Sequence, residues 1–318
     1  MKKIFLGIIS MPLIVACEQQ ELENNEFLSE MLSVKAEITS ASNPATRTTT
    51  SGTKVSFAEG DRIGFYMPDA GKSGLWTLSS SVWSSSVAYV WPDKVNSFTF
   101  CAYYPYTASE NRTSISMPDL TTQTGDAAEL GSYDFLVARS TCSYLTSEGA
   151  VSFTGKQAFK HVYSLLSITL KTSTDTKNAV LNELQLTAPG LVSSHTYHFG
   201  ESNVYDGMTL QGQDKNDFKR TGLNDSIHTD GYNSMYVVNP IAPEEKVTIS
   251  IKYTRGEEQF TASTQVSAAT IQKGNLNKLT ITIKKSGLLV SGNTVEDWNE
   301  DSLGEIEIEE SPETQSKE

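Results

Sequence analysis

The chain has 318 residues, 38% of them hydrophobic, and a formal net charge of −13 at pH 7. This length suits one large domain or two ordinary domains with proper hydrophobic cores. So acidic a chain has no basic surface that would bind nucleic acid, and anionic membrane surfaces would repel it. Abundant serine and threonine, 13 tyrosines and few long amphipathic helical patterns indicate a secreted all-β protein.

The chain begins with Met-Lys-Lys followed by mostly apolar residues. This apolar run is too short to span a bilayer, so residues 1–16 are predicted to be a secretory signal peptide. Residues 14–17 (IVAC) resemble the lipobox of bacterial lipoproteins, which implies that Cys17 becomes the acylated first residue. The alternative is a signal peptide without lipidation that is cut elsewhere. No later apolar run reaches spanning length, so any membrane anchor would be the lipid.

An acidic, amide-rich stretch follows the cysteine. Residues 17–33 are predicted to be a tether that holds the folded part away from the membrane. The acidic run resembles the signal that carries lipoproteins to the cell surface in Bacteroidetes. Because residues 1–16 contain two lysines and no acids, their removal takes the formal net charge from −13 to −15. We therefore expect a surface-exposed lipoprotein of the outer membrane.

The first strand and the loop after it are predicted next. Residues 34–39 (VKAEIT) alternate apolar and polar side chains, a pattern that predicts a β-strand. Residues 40–53 are small and polar and include a proline and a glycine, which indicates an exposed loop. Arg47 is the one basic residue of that loop. Flexible polar loops of this kind are preferred sites of proteolysis.

Further strands are predicted from β-branched or aromatic runs bounded by Gly, Pro, Asp or Ser. In the N-terminal half they occupy residues 54–67, 86–92, 97–106 and 133–140, whereas residues 107–131 are polar. In the C-terminal half we predict a hairpin, residues 161–172 with 179–188, and strands at residues 234–243, 246–254, 260–266 and 277–290. This spacing favours β-sandwiches over alternating strand–helix units.

The strand pattern therefore predicts two β-sandwich domains, residues 34–156 and residues 157–300. Residues 301–318 are highly acidic and are interpreted as a solvated tail. The segment GEIEIEE at residues 304–310 alternates with a period of two, so an extra strand is the alternative there.

Cys101 and Cys142 remain once Cys17 is assigned to lipidation. An even pair in an oxidising compartment allows a disulfide. Both cysteines lie in predicted strands, where free buried thiols are common, and this placement favours free thiols.

No catalytic or metal site is predicted. His195 and His198 form an H-x-x-H pattern, but in a strand this spacing places the two rings on opposite faces, and no third ligand is near in sequence. The chain has no nucleophile elbow, and neither Cys101 nor Cys142 has a histidine within ten residues. We therefore expect no enzyme activity and no cofactor.

Large aromatic residues cluster in the N-terminal half, namely Trp76, Trp83, Trp91, Tyr89, Tyr103, Tyr104 and Tyr106. If exposed, they would form a platform for sugar or protein ligands. The favoured interpretation is core and strand-edge packing, because two sandwiches require large apolar side chains.

The order and spacing of several segments resemble the fimbrillin superfamily of Bacteroidetes, the subunits of lipoprotein-derived pili. These segments are the lipobox at Cys17 and residues 46–66, 100–106, 133–140, 159–171 and 277–298. The resemblance implies two tandem transthyretin-like β-sandwich domains. It also implies export as a lipoprotein, followed by trimming and polymerisation on the cell surface.

The resemblance implies a maturation site as well. In polymerising members an arginine-specific protease cuts the loop after the first strand, and the matching bond here joins Arg47 and Thr48. The first strand then leaves, and its groove accepts a donor strand from a neighbouring subunit by β-strand addition. One candidate donor contains Ile306 and Ile308, but its glutamates would require a groove with basic walls. The alternative is an uncut, lipid-anchored protein in which Arg47 is incidental.

We therefore expect a structural pilus subunit with other fimbrillin-like subunits as partners. It would lie in the outer membrane before cleavage and in the fimbrium after assembly. The alternative is a tip adhesin, or a non-polymerising surface lipoprotein, that binds a glycan or a host protein. Cleavage after Arg47 would favour the shaft subunit, whereas clusters of exposed tryptophan would favour adhesion.

Overall fold

The computed structural model describes residues 30–38, 56–108, 111–173, 179–200, 207–269, 271–284, 287–297, 301–303 and 306–307. These residues form β-strands joined by turns, with two four-residue α-helices, α1 (Leu130–Tyr133) and α2 (Tyr144–Ser147). The prediction of an all-β chain built from β-sandwiches is confirmed. Within these residues no helix is long and apolar enough to cross a membrane.

The N-terminal sandwich places a six-stranded antiparallel sheet against a parallel pair of short strands. In spatial order the sheet contains β4 (Val82–Ser84), β3 (Gly74–Ser79), β2 (Arg62–Tyr66), β5 (Phe98–Tyr104), β7 (Leu136–Cys142) and β9 (Lys160–His161). The pair consists of β1 (Ser33–Ala36) and β8 (Ala150–Phe153). The core between them is rich in large buried residues, including Ile63, Phe65, Trp76, Trp83, Trp91, Phe100, Phe153 and Phe159.

The C-terminal sandwich consists of two larger sheets. The first contains β15 (Tyr232–Val238), β10 (Ser164–Thr172), β18 (Asn275–Lys284), β19 (Gly287–Asp297) and β20 (Asp301–Leu303), and β21 (Ile306–Glu307) also pairs with β19. The second contains β14 (Asp217–Ile227), β11 (Ala179–Thr187), β16 (Lys246–Arg255) and β17 (Glu258–Ser267). Strand β16 shows the pattern that builds this core, because Val247, Ile249, Ile251 and Tyr253 are buried while the alternate residues face outward.

A small third sheet joins the two halves of the chain. It contains β6 (Ile115–Ser116), β12 (His195–Tyr197) and β13 (Met208–Leu210), so that β6 of the N-terminal half pairs with β12 of the C-terminal half. A continuous apolar cluster extends from Tyr103 on the sheet of the N-terminal sandwich to the core of the C-terminal sandwich. The boundary at residues 156 and 157 stays a prediction.

The polar stretch between the predicted strands is a structured connection. Residues 111–134, here called the connecting segment, contain β6 and α1 and two turns of 3-10 helix. Asp119 and Asp126 cap these turns by accepting hydrogen bonds from the backbone N–H of Thr121 at 3.0 Å and of Ala128 at 2.9 Å. Such caps use part of the polar composition of the segment, while the apolar side chains of Ile115, Leu120 and Leu130 are buried.

The connecting segment covers the free edge of β15. The Gln123 side chain donates hydrogen bonds to the carbonyls of Leu120 and Val237, both at 2.8 Å, and accepts one from the N–H of Val237 at 2.7 Å. The N–H of Met235 donates to the carbonyl of Gly125 at 3.0 Å. Edge-strand groups that would otherwise be open to pairing are therefore satisfied within the chain.

Two expectations about individual strands are wrong, and strand β14 was missed. The hairpin predicted for residues 161–172 and 179–188 does not form, because β10 and β11 lie in different sheets. Each strand has one buried face, and the chain crosses between the sheets to bury both faces in one core. Residues 86–92 form a single bridge, Val90 with Met31, rather than a strand. Strand β14 was not expected, because Phe218 and Ile227 are its only fully buried side chains.

Part of the predicted acidic tail is also paired. Asp301–Leu303 and Ile306–Glu307 run antiparallel to β19 and extend its sheet, and residues 308–318 lie outside the described residues. Main-chain hydrogen bonds form this extension, so an acidic sequence does not prevent it at an open strand edge.

Candidate functional site: the first-strand groove

The first strand is seated in the N-terminal sandwich by alternate side chains. Leu32, Val34 and Ile38 are only 6%, 6% and 4% exposed, whereas Ser33 and Lys35 face solvent. This period of two is the pattern from which the strand is predicted, and its apolar face points into the core.

Main-chain pairing holds one edge of the strand. Strand β1 runs parallel to β8, with Ser33 opposite Ala150 and Ala36 opposite Phe153. Beyond the paired residues, the N–H of Glu37 donates to the carbonyl of Phe153 at 3.1 Å. At the same end, the N–H of Phe159 donates to the carbonyl of Glu37 at 2.9 Å.

Side-chain contacts fix both ends of the strand. At its start the carboxylate of Glu30 lies 3.0 Å from the ammonium of Lys94, and both side chains are partly exposed. Such an exposed ion pair contributes little, at most about 1 kcal/mol. At the other end the carboxylate of Glu37 accepts a hydrogen bond from the backbone N–H of Gly155.

The opposite edge of the first-strand segment is hydrogen-bonded at its start, where the N–H of Leu32 donates to the carbonyl of Tyr89 at 2.9 Å and the N–H of Trp91 donates to the carbonyl of Glu30 at 3.0 Å. Beyond these bonds, residues 33–38 border an open groove of about 700 Å³. The far wall and floor are formed by Phe57, Leu78, Val82 and Trp83. The ring of Phe57 packs edge-on against Trp83, with 5.1 Å between the ring centroids. Of the described residues that line the groove, the charged ones, Lys35 and Glu37, belong to the first-strand segment itself.

The proposed maturation site belongs to the chain that follows this strand. Residues 39–55 join Ile38 to Ser56, and both of these flanking residues line the groove. Arg47 and Thr48 lie in this interval, which is outside the described residues. Cys17, near the N-terminus, is outside the described residues as well. Their roles stay predictions.

The large aromatic residues belong to the core, as the favoured interpretation predicted. Trp76, Trp83, Trp91 and Tyr103 are buried, and Tyr89, Tyr104 and Tyr106 are partly buried. Trp91 donates its indole N–H to the carbonyl of Gly149 at 3.1 Å, directly beside the start of β8. Trp83 lines the groove, and the burial of the group does not support an exposed platform.

Both cysteines of the folded part are free thiols in the structure. Cys101 lies on β5 opposite Arg139 of β7, whereas Cys142 of β7 lies opposite Phe98. The two positions are three residues apart along the ladder, which is too far for a disulfide. Burial raises the pKa of Cys101, although nearby Arg112 and Arg139 act in the opposite direction. Burial also raises the pKa of Cys142.

We expect the two thiols to react at different rates with iodoacetamide at pH 8. A raised pKa lowers the thiolate fraction of both, but Cys101 is fully buried whereas Cys142 is partly exposed, so Cys142 should react at least tenfold faster. Mass spectrometry of the native protein from residue 18 onward measures both rates, and unfolding in urea should make them equal. A disulfide-linked peptide containing both cysteines would contradict the free-thiol structure.

The histidines occupy separate environments. His195 on β12 hydrogen-bonds through Nδ1 to the carbonyl oxygen of Ser193 at 3.0 Å, and burial lowers its pKa. His161 and Asp134 form a buried pair, with 2.9 Å between Nδ1 and Oδ2. Within the described part of the chain, no group of three or more His, Cys, Asp or Glu side chains could hold a metal ion.

The strand that pairs with β1 was missed by the sequence interpretation. Residues 150–153 (AVSF) are short, and they follow a polar turn that contains α2. Their burial pattern, with Val151 and Phe153 inward, becomes evident only when the partner strand is known. The wall residue Phe57 was placed within a predicted strand without a role in the groove.

Comparison with sequence families gives one match over most of the chain. The family described as fimbrillin-like matches residues 46–298. No curated protein sequence matches the chain. The matched region includes the wall of the groove but begins after the first strand, and it starts one residue before Arg47.

Comparison with solved structures gives matches over nearly the whole fold. One is a candidate cell adhesion protein from Bacteroides uniformis, with a TM-score of 0.57 and 20% identity over 85% of this chain and 99% of that chain. Another is a candidate cell adhesion protein from Bacteroides ovatus, with a TM-score of 0.52 and 13% identity over 86% of this chain and 99% of that chain. At such identities the likeness shows a shared fold.

Proposed function

Because this chain belongs to the fimbrillin-like family, we propose that it is a structural subunit of a cell-surface fimbria, assembled by strand exchange at the first-strand groove. It is exported as a lipoprotein and anchored in the outer membrane through Cys17. Cleavage between Arg47 and Thr48 then separates the first strand and its tether from the folded part. The partners are other fimbrillin-like subunits.

The seating of the first strand is the observation that carries this proposal. One edge of β1 pairs with β8, and the other borders the open groove along residues 33–38 and bonds to the chain at Tyr89 and Trp91 just before it, so the strand lies at the margin of the fold. Its three inward side chains, Leu32, Val34 and Ile38, contribute about 5–9 kcal/mol by burial. Once the chain is cut, association entropy opposes this gain by several kcal/mol. A cut strand is therefore bound weakly enough to be exchanged.

An exchanged strand would use interactions that β1 already makes. Its main chain would pair with β8, and alternate side chains would fill the positions of Leu32, Val34 and Ile38. While β1 remains covalently attached, it stays paired with β8 beside the groove at high effective concentration and blocks premature assembly. Proteolysis at Arg47 would thus convert a closed subunit into an acceptor.

Limited proteolysis tests the proposal on the protein from residue 18 onward. We expect an arginine-specific protease to cut first between Arg47 and Thr48. The other arginines are less accessible: Arg112 is half-buried and donates a hydrogen bond to Cys101 Sγ at 3.3 Å, and the remaining four, Arg62, Arg139, Arg220 and Arg255, lie within strands. The fragment of residues 18–47 should then separate from the body during size-exclusion chromatography. The trimmed body should take up a synthetic peptide of residues 30–38.

The matched control is Arg47→Gln, which removes the cleavage site and leaves the described fold untouched. This variant should resist the protease under the same conditions and should not take up the peptide. A first cut at Arg62, or a trimmed body that cannot bind the peptide of residues 30–38, would contradict assembly by strand exchange.

A further inference from the structure

The first strand defines what a replacement strand must offer. Its inward positions carry Leu32, Val34, Ala36 and Ile38, with the alanine half-buried, and it runs parallel to β8. A replacement therefore needs apolar side chains at three of four alternate positions. Polar residues fit the positions between them, because Ser33, Lys35 and Glu37 face solvent.

The chain's own C-terminal segment matches this template poorly. In residues 304–310 (GEIEIEE), the face that carries Ile306 and Ile308 also carries Gly304 and Glu310. By the same alternation of side chains in an extended strand, Leu303 would lie on the opposite face from the two isoleucines. In the register that places the two isoleucines at the middle positions, Gly304 fills no pocket at the position of Leu32, and Glu310 brings a charge to the buried position of Ile38.

The charge of the groove gives a second, independent argument. Cleavage after Arg47 removes Lys35 and Glu37 together with the first strand. The described lining residues that stay behind are Ser56, Phe57, Leu78, Ser81, Val82, Trp83 and Thr154, and all of them are uncharged. Among the described residues Lys94, the partner of Glu30 at the start of the strand, also stays behind, but it lies outside this lining and carries one charge against four glutamates in residues 304–310.

The C-terminal segment is also engaged elsewhere. Asp301–Leu303 and Ile306–Glu307 pair with β19 of their own sheet. To enter the groove of a second copy, the segment would have to give up these main-chain hydrogen bonds. A strand without a prior partner has no such cost.

We propose that this subunit accepts its replacement strand from a different protein chain and does not supply that strand from its own C-terminal segment. The donor presents apolar side chains at three or more alternate positions, carries few acids on either face, and lies parallel to β8. This inference rests on the proposed function, because it assumes that the groove opens. It places the chain in an assembly of unlike subunits rather than in a homopolymer.

Peptide binding to the trimmed protein tests the inference. Three labelled peptides are compared by fluorescence anisotropy: residues 30–38, residues 301–310, and residues 301–310 with Glu305, Glu307, Glu309 and Glu310 replaced by glutamine. We expect the C-terminal peptide to bind at least about 100-fold more weakly than the first-strand peptide, since two pockets are lost. The neutral peptide should recover only part of the difference, because Gly304 and residue 310 still fail to fill their pockets.

The outcomes separate this inference from the proposed function. If the peptide of residues 301–310 binds within tenfold of the first-strand peptide, the inference is overturned while strand exchange stands. The same holds if the trimmed protein alone forms oligomer ladders that disappear when residues 301–318 are deleted. If the first-strand peptide itself does not bind, the proposed function fails and this inference fails with it.

Discussion

Val34→Asp should open the first-strand groove without any protease. Val34 is 6% exposed at the centre of β1, so a carboxylate there would be buried without a partner or would expel the strand. The lost burial of valine costs about 1.5–3 kcal/mol, and a buried charge costs several kcal/mol more. Release of one marginal strand is cheaper than this penalty, so the segment should leave while the rest of the sandwich stays folded.

Hydrogen exchange and peptide uptake measure this opening. In the uncut Val34→Asp protein, we expect the amides of residues 150–153 to exchange at least about 100-fold faster than in the parent protein, because their partner strand is displaced. The same protein should bind the peptide of residues 30–38, which the uncut parent protein excludes.

Ser33→Asp is the matched control. It introduces the same charge one residue earlier, but Ser33 is exposed, so it should leave both exchange and peptide uptake close to the values of the parent protein. Equal effects of the two substitutions would show that the added charge, rather than the loss of a buried apolar side chain, displaces the strand. Unchanged exchange in Val34→Asp would contradict the inward placement of this side chain.

The first strand could be predicted from the sequence, but its partner could not. Alternation over residues 34–39 is a local signal that requires no knowledge of the rest of the chain. Pairing of Ser33 with Ala150 joins residues far apart in sequence, in a parallel arrangement that no turn signal marks. The same limit explains the wrong hairpin, because alternation in β10 and β11 identifies two strands but not the sheet to which each belongs.

The connecting segment shows a second limit. Residues 107–131 are polar, and the sequence predicts neither a strand nor a helix for them. The structure instead uses the polar side chains for backbone pairing, most clearly at Gln123, whose amide satisfies both the N–H and the C=O of Val237. Composition cannot distinguish a solvated glutamine from one that is 5% exposed and completes the edge of a sheet.

Gln123→Leu should strongly destabilise the protein. The substitution nearly conserves volume, but it removes the amide that pairs with Val237 and leaves a buried N–H and a buried C=O without partners. Each unsatisfied group costs about 1–3 kcal/mol, so we expect the free energy of unfolding to fall by about 4 kcal/mol. Urea unfolding of the protein from residue 18 onward, followed by tryptophan fluorescence and circular dichroism, measures this change.

The matched control for this prediction is Gln265→Leu. Gln265 lies on β17, is exposed, and donates a hydrogen bond to Thr248 Oγ1 at 3.2 Å, so the loss of this bond should change the free energy of unfolding by less than about 1 kcal/mol.

Since the connecting segment links the two sandwiches through the edge of β15, Gln123→Leu should also separate the fluorescence transition from the circular dichroism transition. With Trp298, the fourth tryptophan of the chain, replaced by phenylalanine in both the parent protein and the variant, the fluorescence of tryptophans 76, 83 and 91 reports on the N-terminal sandwich core. Coincident transitions with an unchanged midpoint would contradict a role of the Gln123 hydrogen bonds in holding the two halves together.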